Sequence, residues 1–139
     1  MRRYPRPACL PDPLPLRILL DASAGTGKTF TLEHLVLELL LRPQDDGEPL
    51  RIDQILVVTY TDKAAGEMRE RIRSLIEKLL SGSFDDAGDE PAWELDDAAL
   101  LALDQARMQF DRAAISTIHG FCQKLLRETA FLSGEPFET

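Results

Sequence analysis

Ala22-Ser23-Ala24-Gly25-Thr26-Gly27-Lys28-Thr29 sets two glycines, a lysine and a hydroxyl within eight residues, between the apolar run Ile18-Leu19-Leu20 and a leucine-rich segment opening at Phe30. Gly25 and Gly27 allow backbone turns that a Cβ would resist, and so bring amide N–H groups close to anionic oxygens. Lys28 supplies a point charge for β- and γ-phosphates, and Thr29 a hydroxyl ligand for Mg²⁺. The positive end of the following helix faces the same anion. This is phosphate-loop chemistry, with Lys28 and Thr29 as the candidate catalytic pair. Ala22 stands where the usual pattern has Gly, at a position that begins the loop and does not cradle phosphate. The alternative is a chance Gly/Thr-rich turn before a helix.

Two further polar turns follow apolar strands. Thr59-Tyr60-Thr61-Asp62-Lys63 comes after Gln54-Ile55-Leu56-Val57-Val58, and Thr117-Ile118-His119-Gly120 after Ala113-Ala114-Ile115-Ser116. In an open parallel sheet such turns gather at the carboxyl edge, where ligands bind. An aromatic ring and several hydroxyls there suit base stacking and phosphate hydrogen bonds. Spacing equally allows Tyr60 to pack in the core and the threonines to be helix caps. His34 has no partner at metal or triad spacing and reads as a surface or packing residue. Cys9 and Cys122 match no metal spacing and read as reduced structural cysteines of a cytoplasmic protein. The carboxylates of Asp85-Asp86-Ala87-Gly88-Asp89-Glu90 lack the spacing of a calcium loop.

These positions require an alternation of strands and helices. Residues 1–16 form a proline-rich N-terminal arm, extended or polyproline in character. Arg17 to Asp21 predicts a buried parallel strand. Phe30, Leu32, Leu35, Val36, Leu39 and Leu40 recur at helical spacing, with Glu33, His34 and Glu38 between them, and Pro43 ends the helix. A second strand spans 54–60 and closes a right-handed βαβ unit. Thr61-Asp62 then offers cap chemistry for a helix over 62–80, whose stripe is Ala65, Met68, Ile72, Leu75, Ile76 and Leu79. Glu67 and Arg71 form an i,i+4 pair on its outer face, and Gly82 is the C-cap candidate. The acidic insert at 83–97 reads as a surface loop in which Trp93 is a hydrophobic anchor. A helix over 98–110, a strand over 113–118 and a helix from Phe121 complete the pattern.

The 139 residues carry a formal charge of −8. That opposes a free-standing nucleic-acid binder, whose footprint is usually basic. Yet seven acidic residues and no basic one lie between Asp85 and Asp97, so nearly all of the excess sits in one segment. Met1-Arg2-Arg3 leads into prolines, not into an apolar signal segment, and the run Leu35 to Leu41 is too short to span a bilayer.

The blocks ASAGTGKTFTL, ILVVTYTDKAAGEMRERIRSLI and ISTIHGFCQKLLRETAF stand in the order and approximate spacing of the first motifs of UvrD/RecB-type superfamily 1 DNA helicases. The chain resembles that family over residues 14–139. The resemblance implies an α/β, RecA-like P-loop NTPase fold over 17–139, an incomplete first motor domain. It implies ATP and Mg²⁺ as cofactors at Ala22 to Thr29, with Thr29 on the metal. It further implies contacts to single-stranded DNA from Thr59, Tyr60, Thr61 and Lys63, where the family usually has Phe at Tyr60, and from Thr117, His119 and Gly120. Single-stranded and duplex DNA, with RecC- and RecD-like subunits, are the implied partners of the full-length protein, which acts in recombinational repair. Two departures stand out. No Gln precedes Gln44, where such helicases often read adenine, and no apolar strand is followed by an Asp-Glu pair for Mg²⁺ and water. The short chain is therefore expected to be a portion of a helicase/exonuclease subunit that binds Mg·ATP weakly and hydrolyses little by itself. A small self-contained ATPase or kinase, or a non-catalytic interaction module, is the alternative.

Overall fold

The computed structural model describes residues 1–15, 17–18, 26–43 and 47–133. Within them, β1 (Arg2–Pro5), α1 (Thr26–Leu41), β2 (Leu56–Thr59), α2 (Asp62–Ser81), β3 (Ala92–Leu95), α3 (Asp97–Met108), β4 (Ala114–Thr117) and α4 (Ile118–Ser133) follow in order. The strand expected over 17–21 and the loop residues Ala22 to Gly25 lie largely or wholly outside the described residues.

β2 and β4 pair in parallel, Leu56 opposite Ala114 through to Thr59 opposite Thr117. The whole of α2 and α3 lies between them in sequence, as a parallel pairing requires of its connection. Val57 and Ile115 are buried, while Leu56 and Val58 are exposed. α2 packs over the sheet with all six residues of its expected stripe buried. It is closed at both ends by local chemistry. The Thr61 hydroxyl accepts the Ala64 N–H at 3.0 Å, and Gly82, at φ 73°, turns the chain out of the helix. α3 starts at the Asp96 cap and ends at Met108, before a 3-10 turn at Phe110–Arg112, so Phe110 is in the core as the expected helix over 98–110 had it but is carried by the turn and not by the helix.

α1 departs from its expected polarity. Thr31, Glu33, His34 and Glu38, which fall between the leucines, are all buried. The reason lies in the arm that precedes α1 and in a strand far along the chain. The proline-rich arm is not wholly coil: Arg2–Pro5 forms β1 and pairs antiparallel with β3, Arg2 opposite Leu95. The expectation of a surface loop over 83–97 is thereby corrected for 92–95, which is strand with Trp93 and Leu95 buried. Pro5 is tolerated because Arg6 and Pro91 form a hydrogen-bonded pair. Alternation along the ladder then turns the Pro5 nitrogen away from β3. This small second sheet covers the side of α1 that spacing alone would have left in water.

Candidate functional site

The structure brings two of the three predicted turns together. Because β2 and β4 run in parallel and in register, Thr59 and Thr117 end side by side at one edge. Beyond β2, Tyr60 is 90 % exposed, so the core-packing alternative for its ring does not hold. The capping alternative for the threonines does hold at two positions. Thr61 caps α2, and the Thr117 hydroxyl accepts the Gly120 N–H at 3.0 Å in the first turn of α4. The Thr59 hydroxyl donates to the Thr61 carbonyl at 3.2 Å, which fixes the turn around Tyr60. A Cβ on Gly120 would stand 3.1 Å from the Thr117 hydroxyl, so a small residue suits that turn. Lys63 and His119 are exposed.

α2 also ties the two turns to each other. Arg69, in its second turn, donates to the Ile115 carbonyl of β4 at 2.6 Å. Sequence reasoning placed Arg69 on an outer charged face and missed this link. The same face misled the reading of Arg71: its close ion pair is with Glu33 of α1 at 2.8 Å, and Glu67 adds only a weaker electrostatic attraction.

The first turn of α1 holds Thr26 to Thr29, with Lys28 exposed and Thr29 half-buried. It contains no acidic residue, and among the described residues Lys28 has no carboxylate partner. A helix N-terminus with a free ammonium and no competing carboxylate suits an anion such as a triphosphate.

Behind that turn, α1 is braced by a buried polar network that spacing could not reveal. Glu38 accepts from the Trp93 indole N–H at 2.9 Å and from Arg6 Nε at 3.2 Å, and Arg42 lies 3.2 Å from its other oxygen. Arg6 directs its remaining donors to the Leu10 and Pro11 carbonyls, at 2.8 and 2.7 Å. His34 is 3.1 Å from the Tyr4 hydroxyl through Nε2 and 2.8 Å from the Phe30 carbonyl through Nδ1. The carbonyl can only accept, so Nδ1 carries the proton and Nε2 accepts from Tyr4. Burial pushes the His34 imidazole below its ordinary value, against smaller opposing effects of the Phe30 carbonyl and Glu33. Burial likewise pushes the Tyr4 phenol up. His34 is thus a packing residue, consistent with one of the two readings left open for it.

Among the described residues no cluster of His, Cys, Asp and Glu could hold a metal, Cys9 and Cys122 are free and exposed, and no helix is long and apolar enough to cross a membrane.

The small parallel sheet with its flanking helices makes this a mixed α/β domain, and residues 11–138 match the UvrD/REP helicase N-terminal domain, which has a P-loop NTPase fold. The chain belongs to that family. It is 45 % identical to RecBCD enzyme subunit RecB of Escherichia coli K12 and 40 % identical to that of Haemophilus influenzae. Each match covers 91 % of this chain and 12 % of the relative. RecB of Buchnera aphidicola subsp. Schizaphis graminum is 37 % identical, over 83 % of this chain and 11 % of its own length. The chain therefore spans about an eighth of the length of these curated relatives.

Proposed function

We infer that this chain is the ATP-binding N-terminal portion of a DNA helicase/exonuclease subunit that moves along single-stranded DNA and unwinds duplex during recombinational repair. The observation that carries this reading is the register of Thr59 against Thr117. It sets Tyr60 and His119, on consecutive turns of one sheet edge, where a single strand could run across both. The exposed Tyr60 ring offers a base a stacking face. Thr59, Thr61, Lys63, Thr117 and Gly120 offer hydroxyls, a charge and a close backbone to the sugar-phosphate chain.

On the nucleotide side, Lys28 and the amides at the start of α1 would hold the phosphates, with Ala22 to Gly25 forming the rest of the cradle and Thr29 facing Mg²⁺. Mg·ATP, when bound, supplies the phosphoanhydride whose hydrolysis drives movement. The residues of this chain bind and orient it, but positioning and charge neutralisation by further groups dominate the rate of phosphoryl transfer. Binding without appreciable turnover is therefore expected of the 139 residues alone. In the cytoplasm, RecC- and RecD-like subunits would be partners of the whole protein.

ATP hydrolysis measured with and without single-stranded DNA, on this chain and on the full reading frame, tests the reading. DNA-stimulated turnover in the long form alone agrees with it; DNA-independent turnover by the short chain refutes it. Lys28→Ala should remove binding of a fluorescent ATP analogue in either form.

A further inference from the structure

α2 is held unevenly along its length. Its second half packs through four branched side chains, Ile72, Leu75, Ile76 and Leu79, all buried. Its first two turns, which follow the Tyr60 turn and close on the Thr61 cap, bury Ala65 and Met68, a methyl group and a flexible unbranched chain. Gly66 between them adds no side chain. Apolar contact of this kind is non-directional: it holds the helix near the sheet without fixing where along the strands it comes to rest. A directional tie stands at the same level. Arg69 Nη2 donates to the Ile115 carbonyl at 2.6 Å, and among the described residues this is the one hydrogen bond from α2 to β4.

That bond is short and charge-assisted, the stronger kind of hydrogen bond. Among the described residues Arg69 has no carboxylate at ion-pair distance, so nothing draws its guanidinium off the carbonyl. Its neighbours on the helix are used otherwise: Arg71 pairs with Glu33, and Arg73 lies over the Phe110 ring at 4.9 Å. Ile115 stands two residues before Thr117, whose hydroxyl holds the first turn of α4 through the Gly120 N–H. We propose that Arg69 is a positioning residue for the nucleic-acid edge: it pins the loosely packed start of α2 to β4, and so sets the Tyr60 ring and Lys63 in relation to His119. This rests on the reading of that edge as a surface for single-stranded DNA. It adds the group that makes the two turns act on one strand together, through α2 and without touching the strand.

The test compares three substitutions. Arg69→Met keeps the stem and loses the donor, Arg69→Lys keeps a donor and the charge, and Arg73→Met removes the same charge one turn on while leaving the Ile115 carbonyl bonded. Amide hydrogen exchange reads the hold on α2 without DNA. In Arg69→Met the Ala64 and Ala65 amides, which close on Thr61, should exchange about tenfold faster or more, and those of Ile76 and Leu79 at the wild-type rate. Fluorescence anisotropy with labelled oligo-dT reads the consequence. Tyr60→Ala should weaken binding roughly fivefold or more in wild type and in Arg73→Met, but about twofold or less in Arg69→Met, where the ring is no longer placed. Arg69→Lys should restore most of the Tyr60→Ala factor, whereas a merely structural role for Arg69 would leave that factor the same in every background. Unchanged exchange at Ala64 in Arg69→Met, or an equal Tyr60→Ala factor with and without Arg69, would overturn the proposal. Exchange that behaves as expected in a chain that binds no oligo-dT refutes the DNA reading itself, and the proposal with it. Should Arg69→Met fail to fold, Arg69→Gln, uncharged and of shorter reach, takes its place in both measurements.

Discussion

Replacing Glu38 by Gln changes one atom and should cost the domain a large share of its stability. The carboxylate is 3 % exposed and Arg6 beside it 5 %. Gln can still accept from Trp93, but it carries no charge against Arg6 and Arg42, and its amide places donors where two guanidiniums already donate. Removing one partner of a buried pair typically costs about 3–5 kcal/mol. Arg42 retains Asp12 and Arg6 retains two carbonyls, so the lower end, about 3 kcal/mol, is expected. Against a typical total of about 5–15 kcal/mol this is severe. Urea unfolding followed by fluorescence measures it at the site itself, because Trp93 is the only tryptophan. Arg6→Met/Glu38→Met should be less destabilised than Glu38→Gln, since no charge is left buried. It should not reach wild type, because the indole N–H loses its acceptor, worth about 1–3 kcal/mol. A Glu38→Gln midpoint corresponding to less than about 0.5 kcal/mol, the scale of an ordinary surface change, would refute this account of α1.

Other expectations follow from the same geometry. His34 has a folded pKa below its ordinary 6.5, so the unfolded chain binds the extra proton first. Its contribution is complete above about pH 6.5 and is lost as pH falls below it; denaturation midpoints should drop between pH 7 and 5, with a shallower fall in His34→Gln. Thr61→Ala should lose about 1 kcal/mol of cap energy in thermal unfolding. Tyr60→Ala, at an exposed ring, should stay within about 0.5 kcal/mol of wild type. If the ring stacks on a base, that same change should weaken oligo-dT binding by about 1–3 kcal/mol, and unchanged binding would remove Tyr60 from the DNA-facing set. Gly82→Ala, at φ 73°, should cost about 1 kcal/mol.

What could be read from the residues was local. The six-residue stripe of α2, its threonine cap and its glycine stop are each set by neighbours a few positions away, and all three are in place. That the strands run in parallel followed from the strand-helix alternation; that β2 takes β4 as its neighbour did not. What could not be read depends on distant partners. Glu33, His34 and Glu38 look like a solvated face until Arg71, Tyr4, Arg6 and Trp93 arrive to satisfy them. β1 and β3 are four residues each, one carrying a proline and the other within an acidic stretch, so neither had a periodic signal. At the candidate site, residue types named the turns, whereas only exposure separated Tyr60 as a free ring from Thr61 and Thr117 as caps.

The brace on α1 also sets a timetable. Arg6 precedes Glu38 by 32 positions, but Trp93 follows it by 55. At about 5–20 residues per second of synthesis, roughly 3–11 s separate the emergence of Glu38 from that of the indole that completes its coordination. During that interval the helix that presents Lys28 exists without β3 over its flank, since β1 has no strand to pair with until residues 92–95 are made. A nascent chain thus gains a finished α1 only after its acidic segment has left the ribosome, and shortening that segment would alter when the helix matures as well as what surrounds it.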